Sequence, residues 1–171
     1  MEVQDWGGGL TAHEVAAIEK MKQTFSNKQQ NKPLKDFKEL KSIFPWKGYS
    51  GFRFADVRER KEGEFDLVVV THCNVLIVEL KHWNNEPVTN NGLHWYKGKQ
   101  DMGYSPIEIK RKKIYLLKKK LEEFRGKFSN STDKFPVPRI EFLVVMTGNS
   151  DFSKLSDKEK MHVINLDDFL E

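Results

Sequence analysis

Asp66, Glu79 and Lys81 stand where charge is least expected, within two apolar runs that otherwise read as core strands, Glu64-Phe-Asp66-Leu-Val-Val-Val70 and Val75-Leu-Ile-Val-Glu79-Leu-Lys81. Side chains alternate across a strand, so Glu79 and Lys81 share one face. If the runs pair as a hairpin with Thr71 opposite Leu76, Asp66 stands across from Lys81 and diagonal to Glu79, on that same face. A register shifted by one residue would turn Asp66 away and dissolve the cluster. Unpaired charges in a low-dielectric interior cost several kcal/mol each, so three of them converging there need compensation. Two carboxylates at this spacing suit a hard divalent cation such as Mg²⁺. The lysine beside them can steady an attacking water or the charge that develops on a phosphate. The alternative is a strand end leaving the core, with Glu79 and Lys81 as a solvated pair.

Other charged residues gather around this motif in sequence. The whole chain of 171 residues carries a formal charge of +4, but Lys97 to Lys127 holds 11 Lys and Arg against 4 Asp and Glu. That local excess of seven positive charges leaves the rest at −3, a distribution that attracts polyanions, nucleic acid above all, or else solvates a helix face. Within it, Ile107, Ile114, Leu117, Leu121, Phe124 and Phe128 form an apolar stripe at helical spacing. Lys110 falls between the first two of these and Lys113 on the stripe's edge, so either can reach an active site or a phosphate. Arg111, Lys112, Lys118 and Lys119 lie off the stripe as phosphate contacts or solvated charges. The histidines have no zinc-like spacing, and Trp83 and Trp95 read more readily as packing than as base-stacking residues.

The elements that must hold these residues follow from periodicity. Thr11-Ala-His-Glu14 has the form of a capping box, and Val15, Ile18, Met21 and Phe25 continue it as a helix over about 12–25. Glu14 lies on the inward side of that helix, pointing toward the sheet, and equally fits as the third-position partner of the Thr11 cap. A polar loop over 26–32 precedes a shorter helix between Pro33 and Pro45. Strands are expected around Phe52 to Val57, over 65–70 and over 75–83, the last two as an antiparallel hairpin. A small hairpin turns at Asn91-Gly92, Pro106 opens a helix to about Lys127, and Ile140–Met146 is a buried strand. Val163 and Ile164 add an edge. This order predicts an α/β fold with a mixed central sheet flanked by helices, the long helix crossing over between two strands. Residues 1–10, with Gly7-Gly-Gly9, read as a flexible leader, and 11–171 as one domain. A single cysteine, Cys73, and no secretory pattern at Met1 fit the cytoplasm, and no apolar run approaches the roughly 18 residues of a membrane helix.

Asp66 in one strand with Glu79-x-Lys81 in the next resembles the PD-(D/E)XK phosphodiesterase signature. The surrounding Glu64-Phe-Asp-Leu-Val-Val-Val and Val75-Leu-Ile-Val-Glu-Leu-Lys-His-Trp83 are similar to the nuclease-related domain, NERD. The likeness runs from about Leu10 to Met146, through the early Glu, the hairpin, a Trp after a small insertion and a Pro opening a basic helix. It implies a restriction-endonuclease-like core and Mg²⁺-dependent hydrolysis of nucleic-acid phosphodiesters, DNA before RNA, with Mn²⁺ as a substitute metal. By the same resemblance Asp66, Glu79 and the Leu80 carbonyl hold the metal, Lys81 is the catalytic lysine, and Glu14 matches a helical Glu that assists metal or water. Lys110, Arg111, Lys112 and Lys113 are then the nucleic-acid contacts. Related domains often start this helix with Asn-Pro and place Gln three residues after the Pro. Ser105-Pro106 and Ile109 depart from that pattern, which bears on substrate contacts rather than metal ligands. Domains of this kind occur beside kinase or helicase domains, and the alternative for this chain is a non-catalytic nucleic-acid-binding or targeting module that keeps the fold and uses only the basic helix.

Overall fold

The computed structural model describes residues 1–30, 46–56, 61–71, 74–127 and 137–171. A six-stranded mixed sheet is its backbone, built from β1 (Glu2–Asp5), β2 (Lys47–Asp56), β3 (Lys61–Val70), β4 (Asn74–Lys81), β8 (Arg139–Met146) and β9 (Val163–Asn165), side by side in that order. β2, β3 and β4 run antiparallel to their neighbours within that trio, while β1 pairs parallel with β2, β8 with β4, and β9 with β8. Parallel neighbours need a long connection. Between β4 and β8 that connection carries a second sheet, β5 (Val88–Asn91), β6 (His94–Lys97) and β7 (Gln100–Tyr104), and then helix α2 (Pro106–Glu123).

The sheet has two apolar faces with different covers. On one, Phe65, Val75, Ile77, Phe142, Val144 and Val163 pack against Ile107 and Leu117 of α2 and against Trp95 of the small sheet. On the other, Leu67, Val69, Val78, Leu80 and Val145 meet Ala17, Ile18, Met21 and Phe25 of helix α1 (Ala12–Gln30), with Leu170 of the last helix beside them. Fully burying a large apolar side chain such as Phe65 or Met21 contributes about 1.5–3 kcal/mol, so these two layers set the position of everything charged between them.

Several expectations need correction. α1 continues to Gln30 instead of stopping at Phe25. Ser26, expected in a loop, lies in the helix and accepts from the Met1 ammonium at 2.7 Å. Val15 is not on the buried stripe but 47% exposed, because Ala17 takes the inward position. Residues 1–10 are no loose leader: Glu2–Asp5 form an edge strand, and Met1 is buried. Gly8 lies so close to Gly51 of β2 that a Cβ would stand 2.3 Å from the Gly51 carbonyl oxygen, so this position of the glycine run serves close packing. In the small hairpin the turn residues are Gly92 and Leu93, one step later than expected. Only Gly92 of the two has positive φ (60°), the pattern of a II′ turn. β7 has no clear signature in the sequence. α2 ends at Glu123, with Leu116 buried and Phe124 exposed, and a short 3-10 turn at Arg125–Lys127 follows. The expected helix between Pro33 and Pro45 lies outside the described residues, as do Val57 and Phe128. Two further helical turns, α3 (Asp157–Lys160) and α4 (Leu166–Leu170), flank β9.

Candidate active site

The β3–β4 ladder runs from Val70–Val75 to Leu67–Val78. It is displaced by two residues from the register anticipated, which puts Asp66 in line with Glu79 rather than Lys81. A two-residue displacement keeps every side chain on its face, so the charged residues still converge. Beyond Leu67–Val78 the ladder gives way to a side-chain contact, in which the Asp66 carboxylate, through Oδ2, accepts the Leu80 N–H at 2.8 Å. On its other side, Ser50–Leu67 and Phe52–Phe65 pair but Gly51, with φ of 57°, interrupts the ladder opposite Asp66. The interruption lets Phe65 and Val68, three positions apart, both join the α2 layer.

Glu79 is the centre of the cluster. Its side chain is 8% exposed and accepts from Lys81 Nζ through Oε1 at 2.9 Å and from Lys113 Nζ through Oε2. Lys113, on the edge of the helical stripe, is thereby turned into the site instead of outward, and its ammonium stands 5.7 Å from the centre of the Phe65 ring. Burial works to raise Glu79, but the two ammoniums outweigh it and hold the carboxyl below its ordinary value. Burial likewise works to lower Lys81, but the charges of Glu79, Asp66 and Glu14 hold it above its ordinary value. Lys81 is therefore a cation at neutral pH, suited to stabilising negative charge and not to accepting a proton. For Asp66 the balance tips the other way: burial, then the neighbouring Glu79 charge, outweigh the Leu80 N–H and the two more distant ammoniums and push its carboxyl up to about 6.

Glu14 takes both positions foreseen for it. Its carboxylate accepts the Thr11 N–H at 2.7 Å and closes the capping box, while its charge reaches Lys81. The first turn of α1 is docked there by a contact that no motif or periodicity foretells. His13 stacks on His82 with ring centres 3.7 Å apart and planes 7° from parallel. The state of His82 follows from its neighbours. Asn149 N–H donates to Asn84 Oδ1, so the Asn84 amide nitrogen donates to His82 Nε2. The ring proton then sits on Nδ1 and points to Thr147 Oγ1, whose hydroxyl points to the Lys81 carbonyl. The only sequence signal was adjacency: His82 follows Lys81 directly.

The four basic residues expected to meet nucleic acid separate into three groups. Lys113 belongs to the cluster, Arg111 and Lys112 are exposed, and Lys110 lies one turn away with Nζ 2.5 Å from His162 Nε2. Trp95 is fully buried and donates through Nε1 to Glu159 at 2.6 Å, which supports packing over base stacking.

Among the described residues no three His, Cys, Asp or Glu side chains come together as a metal cluster. Asp66 and Glu79 nonetheless fit a hard cation that keeps several waters. Both offer oxygen, each carboxylate oxygen has two lone pairs and can accept an ammonium and a cation together, and no Lys or Arg donates to Asp66 among the described residues. A cation beside Asp66 would relieve the burial and repulsion that hold its carboxyl up.

With this geometry in place, comparison with known families is decisive. The family model described as Nuclease-related domain matches residues 27–147. The chain belongs to the nuclease-related domain (NERD) family. The match covers Asp66, Glu79, Lys81 and Lys113 and therefore makes the chain a nuclease-related module with the restriction-endonuclease-like core of the PD-(D/E)XK phosphodiesterases. Glu14, His13, Glu159 and His162 lie outside the matched NERD segment. No curated protein and no solved structure matches the chain. No helix among the described residues is long and apolar enough to cross a membrane.

Proposed function

We propose that this NERD chain hydrolyses phosphodiester bonds of nucleic acid, DNA in preference to RNA, with Mg²⁺ at Asp66 and Glu79. The observation that carries the reading is a buried carboxylate, Glu79, shared by two ammoniums beside a second carboxylate, Asp66, to which no ammonium donates among the described residues. Mg²⁺ would be held by these two side chains and the Leu80 carbonyl, and when bound it supplies a Lewis acid that neutralises phosphate and lowers the pKa of water.

The chain's own residues do the rest. Lys81 and Lys113 approach Glu79 with one N–H each, which leaves two donors on each ammonium for the oxygens of a phosphate. Their positive charge lies where negative charge builds as the nucleophile adds, and their low exposure strengthens that interaction. Glu79 and Asp66 keep Lys81 in its charged form, and Glu14 adds to them from the first turn of α1. The exposed basic residues Arg111 and Lys112 draw the polyanion to this face without reading its bases.

The test is cleavage of plasmid or single-stranded DNA with Mg²⁺. Lys81→Ala and Asp66→Ala should each lose at least roughly 100-fold in rate, and chelation should stop the wild type. Cleavage undiminished in both variants would assign the activity to a contaminant. One observation favours a second reading, a binding or targeting module without catalysis: both Glu79 oxygens already have lysine partners. A Mg²⁺ titration separates the two. The enzyme binds the ion and loses that binding in Glu79→Gln, whereas the module shows salt-dependent DNA affinity indifferent to metal.

A further inference from the structure

We propose that Lys110 and His162 form a second phosphate contact, which takes a neighbouring phosphodiester of the strand held at Asp66, Glu79, Lys81 and Lys113. The inference rests on the nucleic-acid reading above and extends it to His162, on the C-terminal side of the matched family segment.

Lys110 and Lys113 are three residues apart on α2, so their Cβ atoms are about 5–6 Å from each other on one helix face. Their ammoniums then diverge. Lys113 ends on Glu79, while Lys110 leans toward the start of β9 and meets an imidazole. The distance between the two places follows from the sheet. Glu79, Val144 and Val163 are register neighbours across β4, β8 and β9, and strands about 4.8 Å apart put Val163, with His162 just before it, about 10 Å from Glu79. That is the reach of the next one or two phosphates along an extended strand.

The chemistry of the pair suits an anion. An ammonium has three N–H groups, and Lys110 gives one to His162 Nε2. No carboxylate pairs with it among the described residues. Because Nε2 accepts, the His162 ring is neutral. The acids that face the pair are committed elsewhere: Glu108 of α2 to Lys158 at 3.0 Å, and Glu159 of α3 to Trp95 and Ser105. The remaining neighbours, Lys158 of α3 and Arg111 of α2, are cations. Burial and these two cations push Lys110 below its ordinary value, and burial and Lys110 do the same to His162. A phosphate between them accepts from Lys110, draws a proton onto His162, and then accepts from the imidazolium as well. Binding is thus linked to proton uptake, with affinity rising as pH falls through the ordinary range of histidine.

The full chain, with a fluorescent single-stranded oligodeoxynucleotide and EDTA in place of Mg²⁺, tests this without cleavage. Wild type should bind about fivefold more tightly at about pH 5.5 than His162→Gln does, with the difference gone at about pH 8. Lys110→Gln should weaken binding and reduce the salt slope by about one, and Lys22→Gln on the far helix should change neither. In the unmodified protein, the His162 imidazole resonance, assigned by its loss in His162→Gln, should shift to higher pKa when the oligonucleotide is added. A resonance unmoved at saturation, or a His162→Gln variant with the wild-type pH profile, overturns the contact. Addition of Mg²⁺ to the same samples separates the two claims. Cleavage with a silent His162 overturns the contact alone, and a responding His162 without cleavage supports the contact and overturns the nuclease reading.

Discussion

Glu79 and Glu159 are both buried carboxylates, 6% and 2% exposed, yet they are built for different ends. Glu159 is met by neutral donors, the Trp95 indole at 2.6 Å and the Ser105 hydroxyl at 2.7 and 3.0 Å. Ser105 also caps α2 by accepting from Ile107 N–H, so this carboxylate ties the small sheet, the start of α2 and the α3 turn together. Glu79 is met by two ammoniums on side chains that keep contact with solvent, 27% and 17% exposed. Donors of the first kind are buried and have no alternative partner. Those of the second kind are cations that can turn to a phosphate. A buried acid alone does not point to chemistry; exchangeable charged partners beside a second carboxylate that no ammonium bonds among the described residues are what set Glu79 apart.

The sharpest way to break this contrast is to exchange the two acids for neutral groups. Glu79→Gln should lower cleavage by roughly 100- to 1,000-fold, about 3–4 kcal/mol in barrier, while the folded chain persists. Glu159→Ala should instead cost about 3 kcal/mol of stability, because two buried donors lose their acceptor. For a chain of this size that is a fall of roughly 6–12 °C in Tm. Calorimetric unfolding beside the cleavage assay checks both, and equal loss of stability in the two variants would erase the distinction.

A smaller effect, of opposite sign, is expected at Asp66. An acid whose pKa rises from 3.8 when unfolded to about 6 when folded binds its proton more tightly in the native state. Its ionisation therefore takes stability away as pH rises from about 4 to 6, and the loss is complete above that window. Asp66→Asn, which can still accept from Leu80 N–H, should stabilise the metal-free chain by roughly 1–3 kcal/mol at neutral pH and above. The gain should vanish near pH 4, as urea unfolding at the two pH values would show. Smaller still is the effect of the stacked imidazoles. His82→Ala should lower kcat by about tenfold, roughly 1.4 kcal/mol, through a displaced Glu14, with KM little changed. His82→Phe, which keeps the stack with His13, should recover most of it.

The sequence carried the part of this site that local geometry dictates. Two residues apart on one strand, Glu79 and Lys81 had to share a face, and odd-sum pairing of the hairpin had to bring Asp66 to them. The register itself was not legible, since a displacement by two preserves the apolar pattern. It is decided by the turn, where Thr71 N–H donates to the Asn74 carbonyl and the Thr71 hydroxyl bonds the Asn74 side chain. Lys113 sat on the boundary of a helical stripe, where periodicity cannot say in or out. Partners distant in the chain left no trace at all: Trp95 and Glu159 are 64 residues apart, and His13 meets His82 only because α1 crosses the end of β4. β1 was missed because four residues, mostly polar and ahead of a glycine run, show no strand alternation.

In the nuclease reading, Asp66 and Glu79 form a cation site. A crystal grown with Mn²⁺ and measured at the manganese absorption edge tests it most directly. One anomalous peak within about 2.0–2.3 Å of oxygens from both carboxylates, lost in Asp66→Asn, is the result predicted. No peak there at saturating Mn²⁺, with Lys81 and Lys113 still closed on Glu79, would contradict it.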